Sequence, residues 1–86
     1  MPVVSTFFGI VIRMYYREHG IPHFHAEYQG QRATFTFDGE VLAGWIRSTR
    51  ARRMIREWTL AHPAELTANW EAARAGEPIG HIAPLE

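Results

Sequence analysis

The sequence contains no cysteine, and all nine of its Lys-plus-Arg positions are arginine. Without thiols there is no disulfide framework and no thiolate metal site, a composition that fits a reducing compartment. Without lysine, every fixed positive charge is a guanidinium, the group suited to phosphate and carboxylate partners. No apolar run approaches the roughly 20 residues that a spanning helix needs. No basic stretch precedes the first apolar run, and no small-residue cleavage site follows it, so no signal peptide is expected. These absences point to a cytoplasmic protein with no membrane role.

What is present is a chain of 86 residues, 47% hydrophobic and 13% aromatic, with formal net charge zero. That length predicts a single domain over residues 1–86 with one modest core. A neutral chain is not a general polyanion binder. Its charge is uneven, however: Arg47, Arg50, Arg52, Arg53 and Arg56 fall within ten residues. Such a cluster reads first as a solvated helix face and second as a grip for phosphate or an acidic partner.

From Phe8 to Arg17 apolar and aromatic residues alternate, which predicts a strand, with residues 1–6 as a lead-in. Gly20 and Pro22 break it, so residues 18–22 read as a loop. His23–Tyr28 re-enters a strand, Gln29-Gly30 is a turn, Arg32–Phe37 is the next strand, Asp38-Gly39 is a hairpin turn, and Val41–Ile46 closes the meander. The two turns imply a register. One face collects Phe24, Ala26, Phe35, Leu42 and Ile46. The other collects His23, His25, Glu27, Arg32, Thr34, Thr36 and Trp45. In this register Glu27 lies opposite Arg32, His25 opposite Thr34 and His23 opposite Thr36.

Ser48 is a helix N-cap, and Ala51, Met54, Ile55, Trp58 and Ala61 follow at helical spacing, with Arg53 and Glu57 as an exposed pair. Pro63 opens a second helix with Glu65 near its positive end and Leu66, Trp70 and Ala73 on its apolar face; Gly76 and Pro78 stop it. Ile79, Ile82 and Leu85 make the tail apolar enough to lie against the body or a partner. The expected fold is α+β: a four-stranded, mainly antiparallel sheet followed by two C-terminal helices packed on one face. The histidine face of the sheet is then left open.

Chemistry concentrates in His19-Gly-Ile-Pro-His-Phe-His-Ala-Glu-Tyr28, with three histidines and a carboxylate in ten residues. Three readings follow. Histidine titrates near neutrality, so His23 and His25 can act as catalytic acid and base, with Arg13 holding a phosphate, as in metal-independent RNA cleavage. Alternatively, His23 and His25 with His19 are ligands for zinc or nickel. In the third reading the imidazoles form cross-strand hydrogen bonds and the face binds a protein. Tyr15, Glu27, Tyr28, Arg32 and Trp45 are the candidate substrate- or partner-binding residues. Trp45 is expected to stack on Arg32 or anchor a partner, while Trp58 and Trp70 read as core.

Gly9-Ile-Val-Ile-Arg-Met-Tyr15, Pro22-His-Phe-His-Ala-Glu-Tyr28, Glu57-Trp58, Asn69-Trp70-Glu71 and Ile82-Ala-Pro-Leu85 together resemble the bacterial family called domain of unknown function 4160. One departure is Ile46-Arg-Ser, where members tend to carry Leu-Pro before the first helix. The resemblance implies little chemistry. It does imply a neighbouring gene for a small protein partner, domain of unknown function 2442, some members of which carry a helix-turn-helix part. That layout is one of toxin–antitoxin pairs. A homodimer joined through the open sheet face is a further expectation.

Overall fold

A computed structural model describes residues 2–86. Five strands precede two helices: β1 (Val3–Phe7), β2 (Ile10–Arg13), β3 (His23–Tyr28), β4 (Gln31–Thr36), β5 (Val41–Gly44), α1 (Thr49–Ala61) and α2 (Pro63–Ala75). The strands form one antiparallel meander in the order β1-β2-β3-β4-β5. The fold is therefore α+β with two C-terminal helices, as expected, but the sheet has five strands rather than four. No helix among the described residues is long and apolar enough to cross a membrane.

The extra strand lies in the stretch expected to be a lead-in. Val3, Val4 and Thr6 are β-branched, a composition that favours extended backbone. Phe8 and Gly9 both take positive φ (50° and 81°), the geometry of a two-residue hairpin turn, so Phe7 faces Ile10. The expected single strand Phe8–Arg17 is thus a turn, a four-residue strand and a loop. Phe7 is in the core while Phe8 is 57% exposed.

The β3–β4 register is the expected one: His23 faces Thr36, His25 faces Thr34, and Glu27 faces Arg32. The β4–β5 register is not. Thr36 closes the turn with both of its backbone groups: its N–H donates to the Glu40 carbonyl, and its own carbonyl accepts from the Gly39 N–H. The loop is therefore Phe37-Asp38-Gly39, with Gly39 at φ 81°, a three-residue turn of the kind that ends in a left-handed glycine. Phe35 consequently faces Val41 instead of Leu42. The register slips between Thr34 and Phe35, and Leu42 is left 47% exposed.

Ser48 caps α1 by accepting from the Ala51 N–H. The helix buries Ala51, Ile55, Trp58 and Thr59, with Ala61 exposed. Arg53 and Glu57 form no ion pair within 4 Å among the described residues. Helix α2 begins on Pro63 and ends at Gly76, whose φ of 74° is the left-handed cap. Trp58 packs on Phe7 and Phe24, and Phe24 stacks on Phe35, which joins α1 to the sheet. The tail is tied down. Ile82 N–H donates to Val4, Trp58 Nε1 donates to Ala83, and the Asn69 side chain both donates to and accepts from Gly80.

Candidate functional site

Alternation along β3 sets the site. Phe24, Ala26 and Tyr28 turn to the core, and His23, His25 and Glu27 turn to the other face. Residues 14–22 between β2 and β3 then fold back beside that face. Arg17 at φ 60° and Gly20 at φ 92° supply the bends, and an added Cβ on Gly20 would meet only open space, so backbone conformation rather than crowding selects glycine there. The loop delivers Glu18 to both histidines. Its Oε1 is 2.7 Å from His25 Nε2, and its Oε2 is 3.2 Å from His23 Nε2. The three side chains can each offer one ligand atom, all within 4.8 Å of one another.

His23 is fixed in orientation. Its Nδ1 lies 2.8 Å from the Ile21 carbonyl. A carbonyl only accepts, so Nδ1 carries a proton. The residue is 9% exposed, and its ring packs against Trp70 from α2. His25 is more open, with the Tyr15 ring edge-on at 4.5 Å and the His23 ring at 5.4 Å. Arg13, which pairs with His25 across β2–β3, reaches diagonally to Glu27 at 2.6 Å. Arg13, Tyr15, Glu18, His25 and Glu27 line a hollow of about 850 Å³ together with Arg32, Thr34, Ala43 and Gly44.

Of the residues singled out in the sequence, the structure brings His25, Arg13, Tyr15, Glu27 and Arg32 into this hollow; His23 stands beside His25 and is not part of the lining. His19 is exposed and stands outside the cluster; its neighbour Glu18 occupies the ligand position instead. Tyr28 faces the other way and packs against the core. Trp45 does not stack on Arg32. Its backbone N–H donates to the Arg32 carbonyl, while its ring lies 4.2 Å from the Arg52 guanidinium. Glu18 is the residue that sequence reasoning missed. Its carboxylate two residues before Gly20 was the available signal, because a glycine–proline loop can reverse the chain onto the strand that follows.

A family model described as Domain of unknown function (DUF4160) matches residues 9–71. The chain belongs to this family. The matched span takes in β2 to β5, α1 and most of α2, and so holds every residue of the Glu18–His23–His25 cluster. Strand β1 and the tail that packs on it lie largely outside the match. No curated protein and no solved structure matches this DUF4160 chain.

Proposed function

We propose that Glu18, His23 and His25 form a divalent transition-metal site, and that the chain uses it as one component of a small two-protein system of toxin–antitoxin type. The observation that carries this reading is the orientation of His23 toward Glu18. With Nδ1 donating toward Ile21, its Nε2 faces a carboxylate oxygen 3.2 Å away. That contact is satisfied by a proton on Nε2 or, when the ring is neutral, by a cation shared between the nitrogen and the carboxylate. A histidine whose far nitrogen donates to a backbone carbonyl is also the usual arrangement of a metal ligand, because that bond fixes the tautomer. Bonds of roughly 2.0–2.2 Å in tetrahedral geometry set ligand atoms about 3.3 Å apart, so the three ligand atoms, which lie within 4.8 Å of one another, would draw together around one ion. Two imidazoles and one carboxylate favour zinc or a neighbouring first-row ion such as nickel. Three protein ligands leave a further coordination position, where a bound water would become a nucleophile near neutral pH.

A second reading rests on the Glu18–His25 contact. At 2.7 Å it is a normal hydrogen bond, and an entering metal would have to open it. Without metal, His25 oriented by Glu18 would take the proton of an RNA 2′-OH as that oxygen attacks the adjacent phosphorus. His23 as imidazolium would return a proton to the departing 5′-oxygen, leaving a cyclic phosphate. Arg13 is already paired with Glu27 in this arrangement, so Arg32 is the cation open to the phosphate.

Calorimetric titration of zinc chloride into protein purified without a histidine tag separates the readings. The metal reading expects one ion per chain, a loss of affinity on the order of 100-fold in Glu18→Gln, and no change in His19→Ala. Absence of zinc and nickel binding, together with RNA cleavage that survives chelator, would establish the acid–base reading instead.

A further inference from the structure

The arginine-rich start of α1 forms a second polar region, separate from the histidine hollow. We infer that this surface, centred on Trp45, binds a single-stranded polynucleotide through base stacking and phosphate contacts.

Trp45 is the exposed tryptophan, at 55%, while Trp58 and Trp70 are buried. Its ring is not loose. The Arg52 guanidinium sits 4.2 Å from the ring centroid and is itself held by the carbonyls of Ile46 and Arg47 and by Thr49 Oγ1. The Arg47 N–H is anchored by Gln31 Oε1. The indole is therefore a supported flat surface that remains more than half open to solvent. A preorganised aromatic face of this kind accepts any nucleobase, since every base has a π-face.

Arg53 shares a depression with the ring, Arg47 follows Trp45 by two residues, and Arg50 lies three residues before Arg53 on α1; all three are exposed and, among the described residues, without an acidic partner within 4 Å. Arg56 is held by Glu40. Trp45, Thr49, Arg52, Arg53 and Arg56 line one shallow depression of about 420 Å³. Arg50 and Arg53 are three apart on α1, so their Cβ atoms are about 5–6 Å apart and both side chains can reach one strand.

The two helices provide an internal control on charge. Helix α2 carries Glu65 in its first turn and Arg74 in its last, the order that complements a helix dipole. Helix α1 has no acid in its first turn and places Arg50, Arg52 and Arg53 there and in the next. Those cations oppose the dipole and one another, which folding alone does not favour. An anion laid across them relieves both effects. The contact is made by side chains, since Ser48 already takes the Ala51 N–H.

An acidic peptide would satisfy the arginines but has no use for a braced indole, and this is why a polynucleotide is the favoured occupant. The inference does not depend on the metal reading of the hollow.

The test is titration of a fluorescently labelled oligouridine dodecamer, read by anisotropy and by tryptophan emission. Because Trp58 and Trp70 are buried, emission changes report Trp45. The inference expects saturable binding with quenching, and a slope of log affinity against log salt of about −2 for three phosphates. Trp45→Leu lowers affinity about tenfold or more, and Arg50→Glu with Arg53→Glu weakens binding and flattens the salt slope. His19→Ala, outside both regions, leaves the binding unchanged. Absence of binding, or affinity unaffected by the Trp45 and arginine changes, overturns the inference. Displacement of the oligonucleotide by polyglutamate at equal concentration assigns the surface to an acidic protein, and loss of binding in Glu18→Gln moves the strand to the hollow. Either result also overturns it. The altered side chains are exposed, and circular dichroism confirms that the variants fold.

Discussion

The histidine hollow and the arginine shoulder contain similar numbers of ionisable groups and arrange them in opposite ways. In the hollow, Glu18 meets two histidines and Arg13 meets Glu27, so the charges face inward at 2.6–3.2 Å. On the shoulder, Arg47, Arg50 and Arg53 point to solvent with no acid within 4 Å among the described residues. A cluster that converges on one point suits a small cation or a proton. Charges spread over a surface suit an extended anion. A net charge of zero therefore says little about local function, because the paired charges and the unpaired arginines lie in different parts of the molecule.

The largest expected effect removes the support common to both regions. Phe24 lies on the core side of the strand that carries His23 and His25, stacked on Phe35 and edge-on to Trp58. Phe24→Ala should cost about 3–5 kcal/mol in urea unfolding and abolish zinc and oligouridine binding together. If one kind of binding survives, the two regions do not share a scaffold. Asn69→Ala comes next. It removes both hydrogen bonds that hold Gly80, and should lower stability by about 1–3 kcal/mol while both kinds of binding are retained. Tail release should show as hydrogen exchange at Ile82, whose N–H donates to Val4.

A smaller change sharpens the contrast most. Arg50→Glu places an acid in the first turn of α1. It should raise stability by about 0.3–1 kcal/mol while weakening oligonucleotide binding. A variant that becomes less stable would show that Arg50 serves the fold.

The smallest effect lies at the helix junction. The hydrogen bond from His62 is the main reason that the exposed Glu65 carboxyl titrates below its ordinary value. A group with a lowered folded pKa contributes above its unfolded pKa, and the contribution disappears as pH falls through the folded one. The stability difference between the parent protein and Glu65→Gln should therefore shrink as the solution is acidified through the carboxylate range. A difference that is constant over that range would remove the assigned cause.

The histidine face was legible in the sequence because side chains alternate strictly along a strand, and the turn at Gln29-Gly30 fixed one register. His23, His25 and Glu27 accordingly share a face, with Thr36, Thr34 and Arg32 opposite them. Two features escaped for the same reason: the turn type determines register, and the residues alone underdetermine turn type. Phe8-Gly9 concealed a hairpin inside what looked like one alternating run. Asp38-Gly39 proved to be the end of a three-residue loop, which exchanged Leu42 for Val41. Glu18 was hidden because loop residues carry no periodicity. Its position depends on the positive φ at Arg17 and Gly20, which only the folded chain displays. Trp45 was expected on the polar face with Arg32. Its actual neighbour, Arg52, is on another element, and strand alternation cannot indicate that contact.

The imidazole nitrogens themselves give the most direct test of the metal centre. Two-bond proton–nitrogen correlation spectra, recorded before and after one equivalent of zinc, should show His23 protonated at Nδ1 throughout, with its Nε2 resonance and one from His25 displaced by the metal. Spectra in which His19 responds instead, or in which neither His23 nor His25 changes, would contradict the account.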